Sequence, residues 1–254
     1  VLKAVAFDLW ETLITDLPEI ASRQQDARIS GLAGVLSDAG VRTSLDEVTR
    51  AHRDVWHHCW GRYWSRDEDV SARGQVMHFL EHLGVEPAFP PDVLDALEEA
   101  YGGAAVLHPP VLVAGAGEVV SDLRAMGLSV GVVSNTGRTP GRHLRRILDR
   151  LGLSARIDGM VFSNEIGHCK PRPAIFENLR HQLGCRFDEM VFVGDNPFAD
   201  VWGAQQCGMT AVHFSPETRG MAVGAATRED YVLEPHARID RLEKLVPVVE
   251  EMLR

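Results

Sequence analysis

The sequence predicts an α/β fold: a three-layer α/β/α core on a parallel sheet, with a helical domain inserted after the first strand. Three observations carry this. From Gly117 onward, short Val- and Phe-rich runs alternate with amphipathic stretches, and runs that are apolar at consecutive positions suit strands covered on both faces. The amphipathic stretches between them begin and end with the residues that start and stop helices. The region from about Asp16 to His108 carries helical patterns and no convincing strand.

Taken in chain order, Val5–Phe7 is the first strand. The helical insertion follows, and its exit, His108-Pro109-Pro110 through Gly115 and Gly117, has the composition of a hinge or linker. The division is therefore a core of residues 1–15 and 108–254 and an inserted domain of residues 16–107. Ser129–Ser134 (SVGVVS) is the next strand. His143–Leu151 reads as a helix with Leu144, Ile147, Leu148 and Leu151 inward, stopped by Gly152. Gly159–Ser163 (GMVFS) is a strand. Pro173 suits a first helical position; Ile175, Phe176, Leu179 and Leu183 form the apolar stripe, and Gly184 ends it. Met190–Gly194 (MVFVG) is a strand, a helix runs from near Pro197 to Gly208, and Thr210–Phe214 (TAVHF) is a strand. Ser215–Glu229 is small and polar, which predicts a surface loop. Asp230-Tyr231-Val232-Leu233 predicts an edge strand before a final helix kinked at Pro247.

The 254 residues hold 26 basic and 36 acidic side chains, a formal charge of −10. That balance argues against a generic nucleic-acid or anionic-membrane binder, both of which need surplus Lys and Arg. It does not argue against a small phosphorylated substrate, for which local charge matters. No apolar stretch approaches the ~20 residues of a membrane span, and the apolar run Ala4–Phe7 is cut short by Asp8, unlike a signal peptide. The cysteines, Cys59, Cys169, Cys185 and Cys207, form no close pair, so a reduced cytoplasmic protein is expected. The expected partner is a small molecule, with no nucleic acid and no membrane, and the chain is expected to be a monomer or homodimer.

In a parallel α/β sheet, ligands gather past the carboxyl ends of the strands. The polar residues there are Asp8 in FDLWETL, Ser134-Asn135-Thr136, the loop Gly167-His168-Cys169-Lys170-Pro171, and Asp195 and Asp200 in GDNPFAD. A lone Asp at a strand end often only caps a turn; four such segments in order at one edge point to a shared site. Asp8, Asp195 and Asp200 would crowd carboxylates unless a cation sits among them, and Mg²⁺ suits an all-oxygen site. Lys170 and the Ser134 hydroxyl would hold phosphoryl oxygens. Only Lys3, Lys170 and Lys244 are lysines, which makes one at a strand-end loop suggestive, although a surface lysine before a proline is the plain alternative.

These segments resemble the four motifs of the haloacid dehalogenase superfamily, whose core is Rossmann-like. FDLWETL resembles D-x-D-x-T, VVSN resembles the strand ending in Ser or Thr, GHCKP resembles G-x-x-K-P, and GDNPFAD resembles G-D-x-x-x-x-D. The insertion resembles that family's helical cap domain. The resemblance implies Asp8 as nucleophile, and Ser134 and Lys170 as binders of phosphate or intermediate. It further implies Mg²⁺ held by Asp8, the Trp10 backbone carbonyl, Asp195 and Asp200, with Trp10, Asn135 and Lys170 lining the substrate.

The sequence departs from that pattern at one place. Where phosphatases of the family carry a second Asp, the general acid/base, this chain has Trp10, and an indole N–H does not titrate near neutrality. General acid–base help is worth roughly 10²–10⁴ in rate. Glu11 or a histidine of the insertion (His52, His57 or His58) could substitute, the leaving group could need no proton, or the chemistry could differ. The 2-haloacid dehalogenases carry an aromatic at the Trp10 place and use no metal, yet they lack the metal-binding Asp that is present here as Asp195. A metal-dependent phosphatase, a dehalogenase and a catalytically degenerate phosphate-binding protein are thus all open readings, the first favoured by Asp195. Phosphonate-cleaving relatives need a lysine in the cap, and none lies between Asp16 and His108.

Within the insertion, His52, Trp56, Trp60 and Trp64 recur every four residues, flanked by Val48, Val55, Cys59 and Tyr63. This reads as the insertion's own core, with the alternative that one or two rings project over Trp10. Cys169 beside Lys170 reads as a bystander thiol. Asn196 reads as a helix cap or as a group near the metal.

Overall fold

The computed structural model describes residues 1–86, 88–216 and 234–254. β1 (Ala4–Phe7) leads through a tight turn to β2 (Ile14–Thr15), followed by α1 (Pro18–Asp38), α2 (Leu45–Arg62), α3 (Ala72–Leu83), α4 (Pro91–Gly102) and the short α5 (Ala104–Leu107). β3 (Val111–Leu112) comes next, then α6 (Ala116–Ala125), β4 (Ser129–Ser134), α7 (Gly141–Arg150), β5 (Gly159–Phe162), α8 (Ser163–Ile166) and α9 (Pro173–Leu183). The chain closes with β6 (Met190–Gly194), α10 (Gly203–Gln206), β7 (Thr210–Phe214), β8 (Ala237–Ile239) and α11 (Leu245–Met252).

The main sheet has the order β5-β4-β1-β6-β7-β8, and every neighbouring pair is parallel. Both faces are covered. Val5, Phe7, Val130, Val132, Val191 and Val193 pack on the face of α6, α7 and α11, while Ala4, Ala6, Val133 and Phe192 pack against Ile175, Phe176 and Leu179 of α9. That two-sided burial is why the strands read as unbroken apolar runs. Because the chain leaves β1 for β4 and later returns to β6 on its other side, the carboxyl ends of these three strands frame the crevice where such sheets bind ligands.

The linker expected after His108 is tied down. β2 and β3 pair antiparallel at the two crossings into the insertion, Ile14 opposite Leu112 and Thr15 opposite Val111. The helices between them bury an apolar cluster of their own, including Leu32, Leu36, Val48, Val55, Phe79 and Leu97. Helix α2 starts at a reciprocal Ser44–Glu47 capping box.

Other local expectations are adjusted. Ser163 leaves the strand and opens α8. Pro247 falls in the first turn of α11, where an amide N–H has no intrahelical partner to lose, so the helix runs on unbroken. The aromatic series splits, because α2 ends at Arg62 and Trp64 opens a separate 3₁₀ turn. Apart from Ser215 and Pro216, the loop expected at 215–229 and the strand expected at 230–233 lie outside the described residues. The edge strand described beyond β7 is β8.

Candidate active site

Asp8 is the first residue past β1, and its backbone N–H donates to the Val193 carbonyl (2.9 Å). Phe7 lies level with Val132 of β4 and Val193 of β6, so Asp8, Ser134 and Asp195 emerge at one height. Lys170 arrives from the loop after α8. Its Nζ lies 2.5 Å from Asp8 Oδ1 and 2.7 Å from Asp200 Oδ1, and donates to the Val133 carbonyl at 3.0 Å. Asn135 fixes the lysine's backbone from both sides, accepting from Lys170 N–H (2.8 Å) and donating to its carbonyl (3.2 Å). These two bonds shape the loop.

Asp200 is placed by an unusual turn. Residues Pro197–Trp202 form a short π-helix, with Val201 N–H reaching back to the Asn196 carbonyl (3.3 Å), a distortion often found at functional sites. Asn196 is the cap: its side chain accepts from Phe198 and Ala199 N–H (3.0 and 2.9 Å), while its own N–H donates to Asp200 Oδ2 (2.9 Å). Gly194 is required because a Cβ there would collide with the Asp200 carboxylate.

One carboxylate oxygen from each of Asp8, Asp195 and Asp200 lies within 4.8 Å of the others. Burial raises the Asp8 carboxyl to about 7; Lys170 pulls it down and Asp200 pushes it up again. For Lys170, burial favours the neutral amine, but Asp200 and Asp8 outweigh it and hold the ammonium above its ordinary range. Three carboxylates brought this close repel one another and favour a cation among them. The donor set is all oxygen, so a hard divalent cation fits both its charge and its chemistry.

Trp10 is half-buried, packs against the core, and bridges to Ile14. Glu11 adopts a left-handed backbone (φ 59°), donates its N–H to the Ile14 carbonyl (2.7 Å), and accepts at its carboxylate from Thr15 Oγ1 (3.0 Å). His52 is buried, and burial together with Arg138 and Arg28 drives its pKa to about 2, so it is neutral. His57 is exposed, and His58 stacks on His78 (4.2 Å between ring centres). Trp56 and Trp64 face each other (4.6 Å), and Arg138 lies 4.5 Å over the Trp56 ring. Val48, Ala51, Val55 and Cys59 form the insertion's core. Burial pushes the Cys169 thiol up, with Asp69 adding to it, and it donates to the Glu68 carbonyl, as suits a bystander. No described helix is long and apolar enough to cross a membrane.

Sequence reasoning missed Asp69, which closes the insertion onto the core. Its carboxylate accepts from Trp64 Nε1 and Val70 N–H (2.7 and 2.8 Å), from Thr136 Oγ1 (3.3 Å), and from Ser163 Oγ. Beside it, Asp69 N–H donates to the Gly167 carbonyl and Cys169 N–H to the Asp67 carbonyl, both at 3.0 Å, so the insertion's loop pairs with the segment leading to Lys170. No motif flags this contact. Thr12, buried with a hydroxyl that has no hydrogen-bond partner among the described residues, sits at the threonine of D-x-D-x-T and could have been picked out by that spacing.

Residues 2–208 match a family model described as haloacid dehalogenase-like hydrolase. The chain is 29% identical to a glyceraldehyde 3-phosphate phosphatase of Methanopyrus kandleri, over 100% of this chain and 99% of that protein. It is 33% identical to a ribulose-1,5-bisphosphate 5-phosphatase of Halopiger xanaduensis, over 84% of this chain and 92% of the other. Among solved structures, a 2-haloacid dehalogenase from Pseudomonas syringae superposes with a TM-score of 0.66 at 22% identity, covering 99% of this chain and 100% of that one. An HAD phosphatase from Thermococcus onnurineus gives 0.61 at 22%, covering 98% of each chain. These structural likenesses establish the fold.

Proposed function

From the premise that the chain belongs to the haloacid dehalogenase-like hydrolases, we propose that it is a Mg²⁺-dependent phosphatase acting on a small organic phosphate. In this reading residues 16–107 are a cap domain over a core of 1–15 and 108–254. The observation that carries it is the convergence of Asp8, Asp195 and Asp200, two of which pair with the Lys170 ammonium. The relatives named as sugar-phosphate phosphatases, near 30% identity over most of the chain, support the substrate class.

Asp8 attacks phosphorus, forming an aspartyl phosphate as the alkoxide leaves; water then attacks that phosphorus, releasing phosphate and restoring the carboxylate. Lys170 offsets charge on the carboxylate and the transferring oxygens, and Ser134 holds a phosphoryl oxygen. Asp8, Asp195 and the Trp10 carbonyl would hold Mg²⁺, with Asp200 supporting the site. When bound, the ion neutralises the carboxylates and the phosphate, so that an anionic nucleophile can approach an anionic substrate. Asn135 keeps Lys170 in place. With Trp10 at the acid/base position, leaving groups that need no proton are turned over best.

Trp10 also supports a second reading, halide displacement from carbon by Asp8. Against it, the 2-haloacid dehalogenases that the sequence resembles lack an aspartate at the Asp195 place, and three clustered carboxylates suit a metal site better than a metal-free one. The test is hydrolysis of p-nitrophenyl phosphate with millimolar MgCl₂, which Asp8→Asn abolishes. No hydrolysis with any divalent cation defeats the phosphatase reading; chelator-insensitive halide release from 2-chloropropionate establishes the other.

A further inference from the structure

Between the insertion and the loop after β4 lies a group of cations that the chemistry at Asp8 does not use. Arg28 of α1 is 6% exposed and, among the described residues, donates through Nε to the Tyr101 carbonyl (2.6 Å). Arg138, four residues past Ser134, reaches across from the core and donates through Nη2 to the His52 carbonyl (3.3 Å) with its plane over Trp56. His52 and Tyr101 stand side by side, their ring centres 5.7 Å apart. Arg138 Nε and His52 Nε2 are buried without a hydrogen-bond partner among the described residues.

Burial, together with repulsion from the Arg138 guanidinium, lowers Arg28 to about 10, so it remains charged at neutral pH. Among the described residues neither arginine forms a salt bridge. The carboxylate that attracts Arg28 is Asp16, and it is bound instead to Gln24 Nε2 (2.8 Å). Arg28, drawn out of water beside a half-buried Arg138 and two polar atoms without a partner, with no carboxylate of the described residues bonded to either guanidinium, is costly unless a ligand supplies an anion. A planar donor fork suits carboxylate and phosphate oxygens alike.

We propose that Arg28, Arg138 and His52 form a second anion subsite, which receives a carboxylate or phosphate at the end of the substrate remote from the phosphoryl group transferred to Asp8. The preferred substrates are therefore doubly anionic, bisphosphates or phosphorylated acids. This rests on the phosphatase reading for its catalytic consequence, while the binding claim stands by itself. The placement follows from the topology: Arg138 is on the loop leaving β4 beside Asp8, and Arg28 is on the helix that follows the Asp8–Asp16 turn.

The experiment compares kcat/KM, with saturating Mg²⁺, for three- to five-carbon alkyl phosphates whose far end is methyl, carboxylate or phosphate. The wild type should favour at least one doubly anionic series about 10-fold or more, and the series favoured tells carboxylate from phosphate. In Arg28→Gln and Arg138→Gln the ratio should fall towards 1. Arg138→Gln, on the partly exposed arm, keeps the test open should Arg28→Gln not fold. Calorimetric binding of the matching alkane bisphosphonates to wild type and to both variants needs no turnover. Arginine-dependent binding in a protein that hydrolyses none of the esters upholds the subsite and removes the phosphatase reading. Hydrolysis with no preference for a second anion, and bisphosphonate binding unchanged by either substitution, overturns the subsite.

Discussion

Lys170 Nζ rests 2.5 Å from Asp8 Oδ1, although 162 residues separate them along the chain. The contact joins the end of the central strand to a loop that Asn135 grips from both sides. The ammonium is also 2.7 Å from Asp200, so one lysine bridges two of the three carboxylates.

Lys170→Met should reduce kcat on an aryl phosphate by about 10² or more, the usual effect of removing a donor aimed at developing charge. It should also lower stability by about 3 kcal/mol in chelator, because buried carboxylates lose their partner. Urea denaturation with and without Mg²⁺ checks this, and added metal should recover part of the loss.

Mg²⁺ should stabilise the wild type by mass action, about 2.7 kcal/mol at 100 times its Kd. Asp195→Asn, with one carboxylate fewer in the cluster, should gain markedly less. Thermal melts across a MgCl₂ series, with a chelator control, read the difference.

Asp16 gives a pH-dependent prediction with a definite sign. Burial raises its pKa from 3.8 to about 6, against the pull of Gln24. The folded state therefore binds its proton more tightly than the unfolded chain. The penalty for ionising it is full above about pH 6 and disappears as pH falls towards 4. Asp16→Asn should stabilise the protein by about 1 kcal/mol at pH 7.5, a value discounted for partial exposure. That gain over wild type should vanish near pH 4 in parallel urea titrations.

Asp69→Asn keeps shape but turns half of a four-way acceptor into a donor. Leaving Trp64 Nε1 or the Thr136 and Ser163 hydroxyls unpaired should cost about 2 kcal/mol. KM should rise with it, since the same contact holds the insertion over the strand ends. Equilibrium unfolding and steady-state kinetics test the two effects separately.

Trp10→Asp places a titratable group two residues after Asp8. It should raise turnover of alkyl phosphates relative to p-nitrophenyl phosphate by about 10², measured as a ratio so that any loss of packing at Trp10 cancels.

The central architecture and the strand-end residues were legible because each is a local property. A strand covered on both faces must be apolar at every position, as in Met190–Gly194, and a helix must open and close, as at Pro173 and Gly184. Asp8, Ser134, Lys170 and Asp195 could be named because a parallel sheet delivers the residues past each strand's carboxyl end to one edge. The β2–β3 pairing was not legible, since two residues per strand leave no periodicity.

By itself, then, the sequence determined the core sheet, the run of helices after the first strand, and the carboxylates and lysine that gather at the sheet's edge. Only the tertiary structure decided that Asp69 fastens the insertion to Thr136 and Ser163, and that Arg28 and Arg138 come near each other with no carboxylate of the described residues bonded to either. The physical reason is range. Strand and helix patterns arise from neighbours a few residues apart, whereas a buried charge is paired or left unpaired by groups that folding alone brings within a few ångströms.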